Sequence, residues 1–319
     1  MRTFLRKLAV FLFLAFFLIV GFLMLSSTKM WRMPIAKLAK SSEYAEGNVG
    51  AREIIPYIEK VQKKDACTKL IIGDSVCNQV LNRFQEGNEE FCICGTNRAI
   101  TLAGQYILAE EFVKNHEDVT DIYLVIILDS LTTEFDRQFG YQYVVMPFTE
   151  TDTIKNLMPS TRSQLRRIYG PLFCWKPVVE VIETSPLNRK LFLNFLTYKE
   201  KVFPVGSETV VSEVSYQYLE KLYRLCEENN IQLHLIPGPH ADTEAQRLQK
   251  DRIERELKEN GAIKYFGVYF DEIEYYPVEL FRDGVHFNED VTGEDFFEKI
   301  VSDMRIPEFN VDKSLRGEC

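Results

Sequence analysis

Leu8 to Leu25 reads LAVFLFLAFFLIVGFLML, eighteen residues without a charge. As a helix, a run of that length crosses the hydrocarbon core of a bilayer. Every face of it is apolar, which excludes the one-sided helix of a soluble domain. Arg2, Arg6 and Lys7 precede it. Positive flanks stay in the cytoplasm, so the rest of the chain is expected on the outer side. A cleaved signal peptide is the rival reading, but its apolar region is usually shorter and no A-x-A site follows Leu25. The expectation is a single-pass anchor over residues 1–29, a stalk with a lead-in helix over 30–63, and one domain over 64–319.

Beyond the stalk, short apolar runs alternate with amphipathic stretches. Leu70-Ile71-Ile72, Phe91 to Cys94, Tyr123 to Leu128, Ile231 to Ile236 and Tyr265 to Phe270 read as five strands. Between and after them, Val76 to Phe84, Ala99 to Lys114, the face Val211, Val214, Tyr218, Leu222 and Leu225, Ala241 to Asn260, and Val291 to Met304 read as helices. Such alternation predicts an α/β fold with a mostly parallel sheet and helices on both faces. Ligands of such sheets bind beyond the carboxyl ends of the strands. Residues 151–205 interrupt the pattern as an aromatic, mildly basic insertion. It reads either as a helical cap over that edge or as packing alone.

A net charge of −9 with no long single-sign run argues against a nucleic-acid surface, which needs concentrated Lys and Arg. Seven cysteines leave at least one unpaired within a monomer. Cys92 and Cys94 share a strand face, but no second pair completes a zinc site, so the cysteines read as structural. Nothing in the chain calls for a metal or a nucleotide cofactor.

The reactive residues fall at the carboxyl edge. Gly73-Asp74-Ser75 follows the first strand directly, and Ser75 opens the next helix, where free backbone N–H groups can stabilise an oxyanion. A serine hydroxyl needs an adjacent base. Of the four histidines, only His286 has an acid three residues earlier, in Asp283-Gly284-Val285-His286. That turn can aim both side chains at one point, with Asp283 orienting the imidazole. His240 is a rival base without a spaced acid, and Cys77 a rival nucleophile with nothing nearby to lower its pKa. Gln79, one turn past Ser75, either faces the site or is solvated. No G-x-S-x-G elbow, dinucleotide fingerprint or Walker loop is present.

LIIGDSVCNQ, CGTNRAI and DGVHFN resemble the blocks of the Ser-Gly-Asn-His hydrolase superfamily, also called GDSL-type. The resemblance spans most of the chain from Leu70 to His286. It implies a flavodoxin-like three-layer α/β/α sandwich, with Ser75 as nucleophile, His286 as base, Asp283 as its partner and Asp74 as a structural residue. The anchor and domain together resemble membrane-tethered accessory proteins of alginate O-acetylation and lipoteichoic-acid D-alanylation. That likeness implies an envelope polysaccharide or teichoic-type acceptor and a membrane-bound O-acyltransferase as partner. The G-x-N-D block is missing; Leu128-Asp129-Ser130-Leu131-Thr132 stands in its place. Asn97, with Gly95 in Gly95-Thr96-Asn97, is the candidate oxyanion replacement, and Asn97 reads equally as a helix cap. The gap leaves a second reading open: a non-catalytic domain that presents polymer to the acyltransferase.

Overall fold

The computed structural model describes residues 2–26, 55–96, 101–134, 155–169 and 210–311. Asn97, most of the stalk and most of the 151–205 insertion lie outside them. Helix α1, Arg2–Ser26, is long and apolar enough to cross a membrane by length and composition.

Four strands form one parallel sheet in the order β2-β1-β3-β4. They are β1 Lys69–Gly73, β2 Phe91–Gly95, β3 Asp121–Ile126 and β4 Gln232–Pro237. The register places Leu70 beside Cys92 on one side and Ile122 on the other. Alternate residues then fall to opposite faces. Leu70, Ile72, Cys92, Cys94, Ile122 and Leu124 pack into one buried cluster, and Ile71, Phe91, Ile93, Tyr123 and Val125 into another. Burial on both faces is why these strands read as unbroken apolar runs rather than as alternating ones.

Helices α2 Ile55–Gln62, α4 Thr101–Asn115, α7 Glu213–Glu228 and α8 Glu244–Glu259 carry apolar residues into the first cluster. Helices α3 Ser75–Leu81 and α9 Glu294–Asp303 fill the second. Two short helices complete the described set: α5 Leu128–Thr132, and α6 Pro159–Tyr169 within the insertion. The chain leaves β1 for β2 by α3 on one face, and returns from β2 to β3 by α4 on the other. Strand order therefore reverses between β1 and β3, where parallel sheets open a crevice at their carboxyl ends. Ser75 begins two residues beyond the end of β1.

The fifth expected strand is absent. Ala262–Tyr265 is a 3-10 turn, and turns continue through Phe270, with Gly267 at φ +52°. Phe266, Tyr269, Phe270 and Ile273 follow helical spacing, and all four are buried in the first cluster. A short apolar run has no period long enough to separate the two cases, and the side chains here go to one side. The Tyr269 hydroxyl donates to Ile126 O at 3.0 Å, tying this turn to the end of β3. The carboxyl edge instead gains a two-residue parallel pair, β5 His240–Ala241 with β6 Tyr275–Tyr276.

Candidate active site

Asp74 joins the ends of two strands to the start of α3. Its Oδ1 accepts from the Val76 and Cys77 amides at 2.9 and 3.3 Å, capping the helix. Its Oδ2 accepts from the Ile127 amide at 2.9 Å and the Ser130 hydroxyl at 2.6 Å, both just past β3. With four donors on it, this carboxylate is fully committed to structure. Gly73 and Gly95 let α3 sit directly on the sheet. A Cβ on Gly73 would lie 2.1 Å from Val125 O, and one on Gly95 2.6 Å from Asn78 N. The Ser75 N–H has no partner among the described residues.

The residues expected to react together are together. His286 Nε2 lies 2.8 Å from Ser75 Oγ, and Nδ1 lies 2.9 Å from Asp283 Oδ2. Asp283 Oδ1 also accepts from the Val285 and His286 amides, at 3.1 and 2.8 Å. Partial burial pushes the Asp283 pKa up, but the bonds from the His286 amide, the His286 ring and the Val285 amide outweigh it and bring it to about 2. Asp283 is thus an ionised acceptor, so Nδ1 must carry a hydrogen. The neutral ring then has a bare Nε2 facing the serine hydroxyl, the arrangement a general base requires. Gly284, at φ +80°, takes the left-handed corner that closes this loop.

Gln79 holds that loop to the nucleophile's own helix. Its Nε2 donates to Phe287 O at 2.9 Å, and its Oε1 accepts from the Phe287 amide at 2.9 Å. The residue next to the base is therefore gripped by a side chain one turn from Ser75. Below it, Phe287 is buried among Phe281, Phe296 and Phe297, and it bridges to Phe281 across the loop.

The rival groups have other work. His240 is buried, its Nδ1 donating to Gly238 O at 2.7 Å and its Nε2 accepting from the Leu128 amide at 3.2 Å. Burial lowers its pKa against the opposite pull of the Gly238 carbonyl, Asp74 and Asp129. Burial, with Asp74 nearby, raises the Cys77 thiol well above its usual range. His116 and His234 pair with Asp65 and Asp121 toward the opposite edge of the sheet. Among the described residues, no group of three His, Cys, Asp or Glu could hold a metal ion.

Gly95 is engaged on both sides: its N–H donates to Asn82 Oδ1 at 3.1 Å, and its carbonyl accepts from Asn82 Nδ2 at 2.8 Å. Asn78, Asn82 and Ser130 were not singled out from sequence. A visible signal existed for two of them. Ser75, Asn78, Gln79 and Asn82 make a polar stripe at helical spacing along an otherwise apolar helix. Ser130 had no such mark, because its partner Asp74 is distant in the chain. Searches of protein-family models, of curated proteins and of solved structures found no match to this chain.

Proposed function

We propose that this chain is a membrane-anchored serine acyl-ester enzyme of the Ser-Gly-Asn-His hydrolase type, working on an envelope glycan outside the cell. The observation that carries the reading is the continuous relay from Asp283 through His286 to Ser75, with contacts of 2.9 and 2.8 Å. The parallel sheet in the order β2-β1-β3-β4, covered on both faces, supports a flavodoxin-like three-layer sandwich for the domain.

In the reaction, Ser75 Oγ attacks the acyl carbon while its proton passes to His286 Nε2. The carbonyl electron pair moves to oxygen, within reach of the unpartnered Ser75 N–H. Collapse restores the carbonyl and expels the alcohol, which takes the proton from Nε2 and leaves an acyl-serine. A second hydroxyl, activated by the same Nε2, attacks that ester and frees the serine. Water there makes an esterase; a sugar hydroxyl makes an O-acyltransferase. Helix α1, able to cross a membrane, supports an acceptor at the membrane surface, and the resemblance to membrane-tethered accessory proteins implies an envelope polysaccharide or teichoic-type polymer and a membrane-bound O-acyltransferase as supplier of the acyl group.

The test is p-nitrophenyl acetate turnover by the detergent-solubilised full chain beside Ser75→Ala. The alanine variant is expected to lose at least about 10³-fold in kcat. Added acceptor oligosaccharide then reports transfer as acylated sugar. Equal turnover by a folded Ser75→Ala variant would sink the nucleophile assignment.

A further inference from the structure

Asn78 stands three residues past Ser75 on α3, and positions three apart share a helix face. The direction of its carboxamide follows from a chain of hydrogen bonds. Asn82 is fixed first, because its Oδ1 accepts from the Gly95 amide at 3.1 Å and its Nδ2 donates to the Gly95 carbonyl at 2.8 Å. Reversing that amide would set donor against donor and acceptor against acceptor. The same Asn82 Nδ2 meets Asn78 at 2.6 Å, so the atom it meets must be the Asn78 oxygen. The Tyr57 hydroxyl of α2 donates to that oxygen as well, at 3.4 Å.

With its oxygen turned down the helix toward Asn82, Asn78 has its NH2 group turned the other way. Helical side chains lean toward the N-terminus, which carries that group to the Ser75 end of α3. It has no partner among the described residues, and it is not one of the buried unpartnered atoms, so it opens to solvent. The result is a pre-oriented donor on the Ser75 face of α3, with the Ser75 N–H also unpartnered among the described residues.

We propose that Asn78 is a catalytic residue, its Nδ2 donating to the acyl oxygen as negative charge develops there. This rests on the reading of Ser75 as an acyl nucleophile. As Ser75 Oγ bonds to the acyl carbon, the carbonyl pair moves onto oxygen and meets the Asn78 and Ser75 N–H groups. On collapse the pair returns, the leaving alcohol takes the proton from His286 Nε2, and Asn78 is unchanged. The Tyr57–Asn82–Gly95 network holds the donor still, so no reorganisation is needed at the moment of attack.

Asn78→Asp keeps oxygens for Asn82 and Tyr57 but replaces the NH2 donor with a charged oxygen. Asn78→Leu, neutral and of similar size, separates the lost donor from the added charge. The readout is the rate of covalent labelling of Ser75 by a fluorophosphonate in the full-length protein, followed by mass spectrometry, with urea midpoints as a folding control. Both variants are expected to label about a hundredfold slower than wild type. Unchanged labelling of the folded Asp variant overturns the Asn78 role and leaves the serine reading intact. Slow labelling of the Asp variant with normal labelling of the Leu variant also overturns it, since charge alone then accounts for the loss. Absence of Ser75 labelling in the wild type overturns both readings together.

Discussion

The two oxygens of Asp283 serve the Val285 and His286 amides and the His286 ring at once. Those bonds hold its pKa near 2 although its side chain is 45% exposed. The folded value is depressed, so the stability it contributes is fully present above the unfolded value of 3.8 and is lost as pH falls to about 2. Acid loss of stability at higher pH must come from other groups. Asp283→Asn is expected to flatten the stability profile between those two values, as read by urea melts across pH. It should also lower kcat by about 10³- to 10⁴-fold with little change in KM, because an amide can stabilise the wrong ring tautomer and cannot balance an imidazolium. A variant that kept wild-type kcat would remove Asp283 from the relay.

At the scale of elements, α3 does more than present a serine. Asp74 ties its start to β1 and β3, Asn82 ties its end to β2, and Gln79 ties its middle to the loop bearing His286. Ser75 and His286 lie 211 residues apart in the chain, and the two-way Gln79–Phe287 grip is what sets their spacing locally. Gln79→Leu leaves the Phe287 amide and carbonyl without side-chain partners, at a cost of about 1–3 kcal/mol. Displacement of the base by about 1 Å can cost a factor near 10². A fall in kcat of that order is therefore expected, with a smaller change in KM. Loss of stability without loss of kcat would make Gln79 purely structural.

How far these elements were legible differs by kind. Strands β1, β2 and β3 were readable because burial on both faces makes each an apolar run of strand length, whereas β4 is buried only over its last three residues and was marked by Leu233, Leu235 and Ile236. The turn at Tyr265 to Phe270 was misread because a short apolar run looks alike in a strand and a buried turn. Ser75, His286 and Asp283 could be singled out because Ser75 sits in a short motif directly after β1 and Asp283 and His286 share one turn, although the strand expected before that turn is absent. The grips of Gln79, Asn82 and Ser130 were not, since their partners are Phe287, Gly95 and Asp74, and only the folded backbone brings those together.

At the scale of the whole molecule, the apolar helix α1 and the thiols bear on one question raised by the proposed function, the side of a membrane on which the domain would work. Helix α1 exposes Phe11, Leu12, Leu14, Phe16, Leu18 and Ile19, and by length and composition it could cross a membrane. Its three cations precede the apolar run, and under the proposed function the domain faces outward. An outer location is oxidising, and free thiols survive there only if unreactive. The five described cysteines fit that demand: Cys77, Cys92, Cys94 and Cys226 are buried, and burial raises Cys226 to about 12. Half-buried Cys67 is also raised to about 12, by burial and then by its Asp65 neighbour. Cys92 and Cys94 bring their sulfurs to 3.7 Å, beyond bonding distance. The expected outcome is that protease added to intact spheroplasts digests the domain while the chain resists carbonate extraction. Deletion of residues 2–26 should release a folded, non-membrane form whose Ser75 still labels. Protection of the domain from external protease would reverse the topology, and with it any role at the outer envelope, while leaving the triad chemistry to act on a cytoplasmic ester.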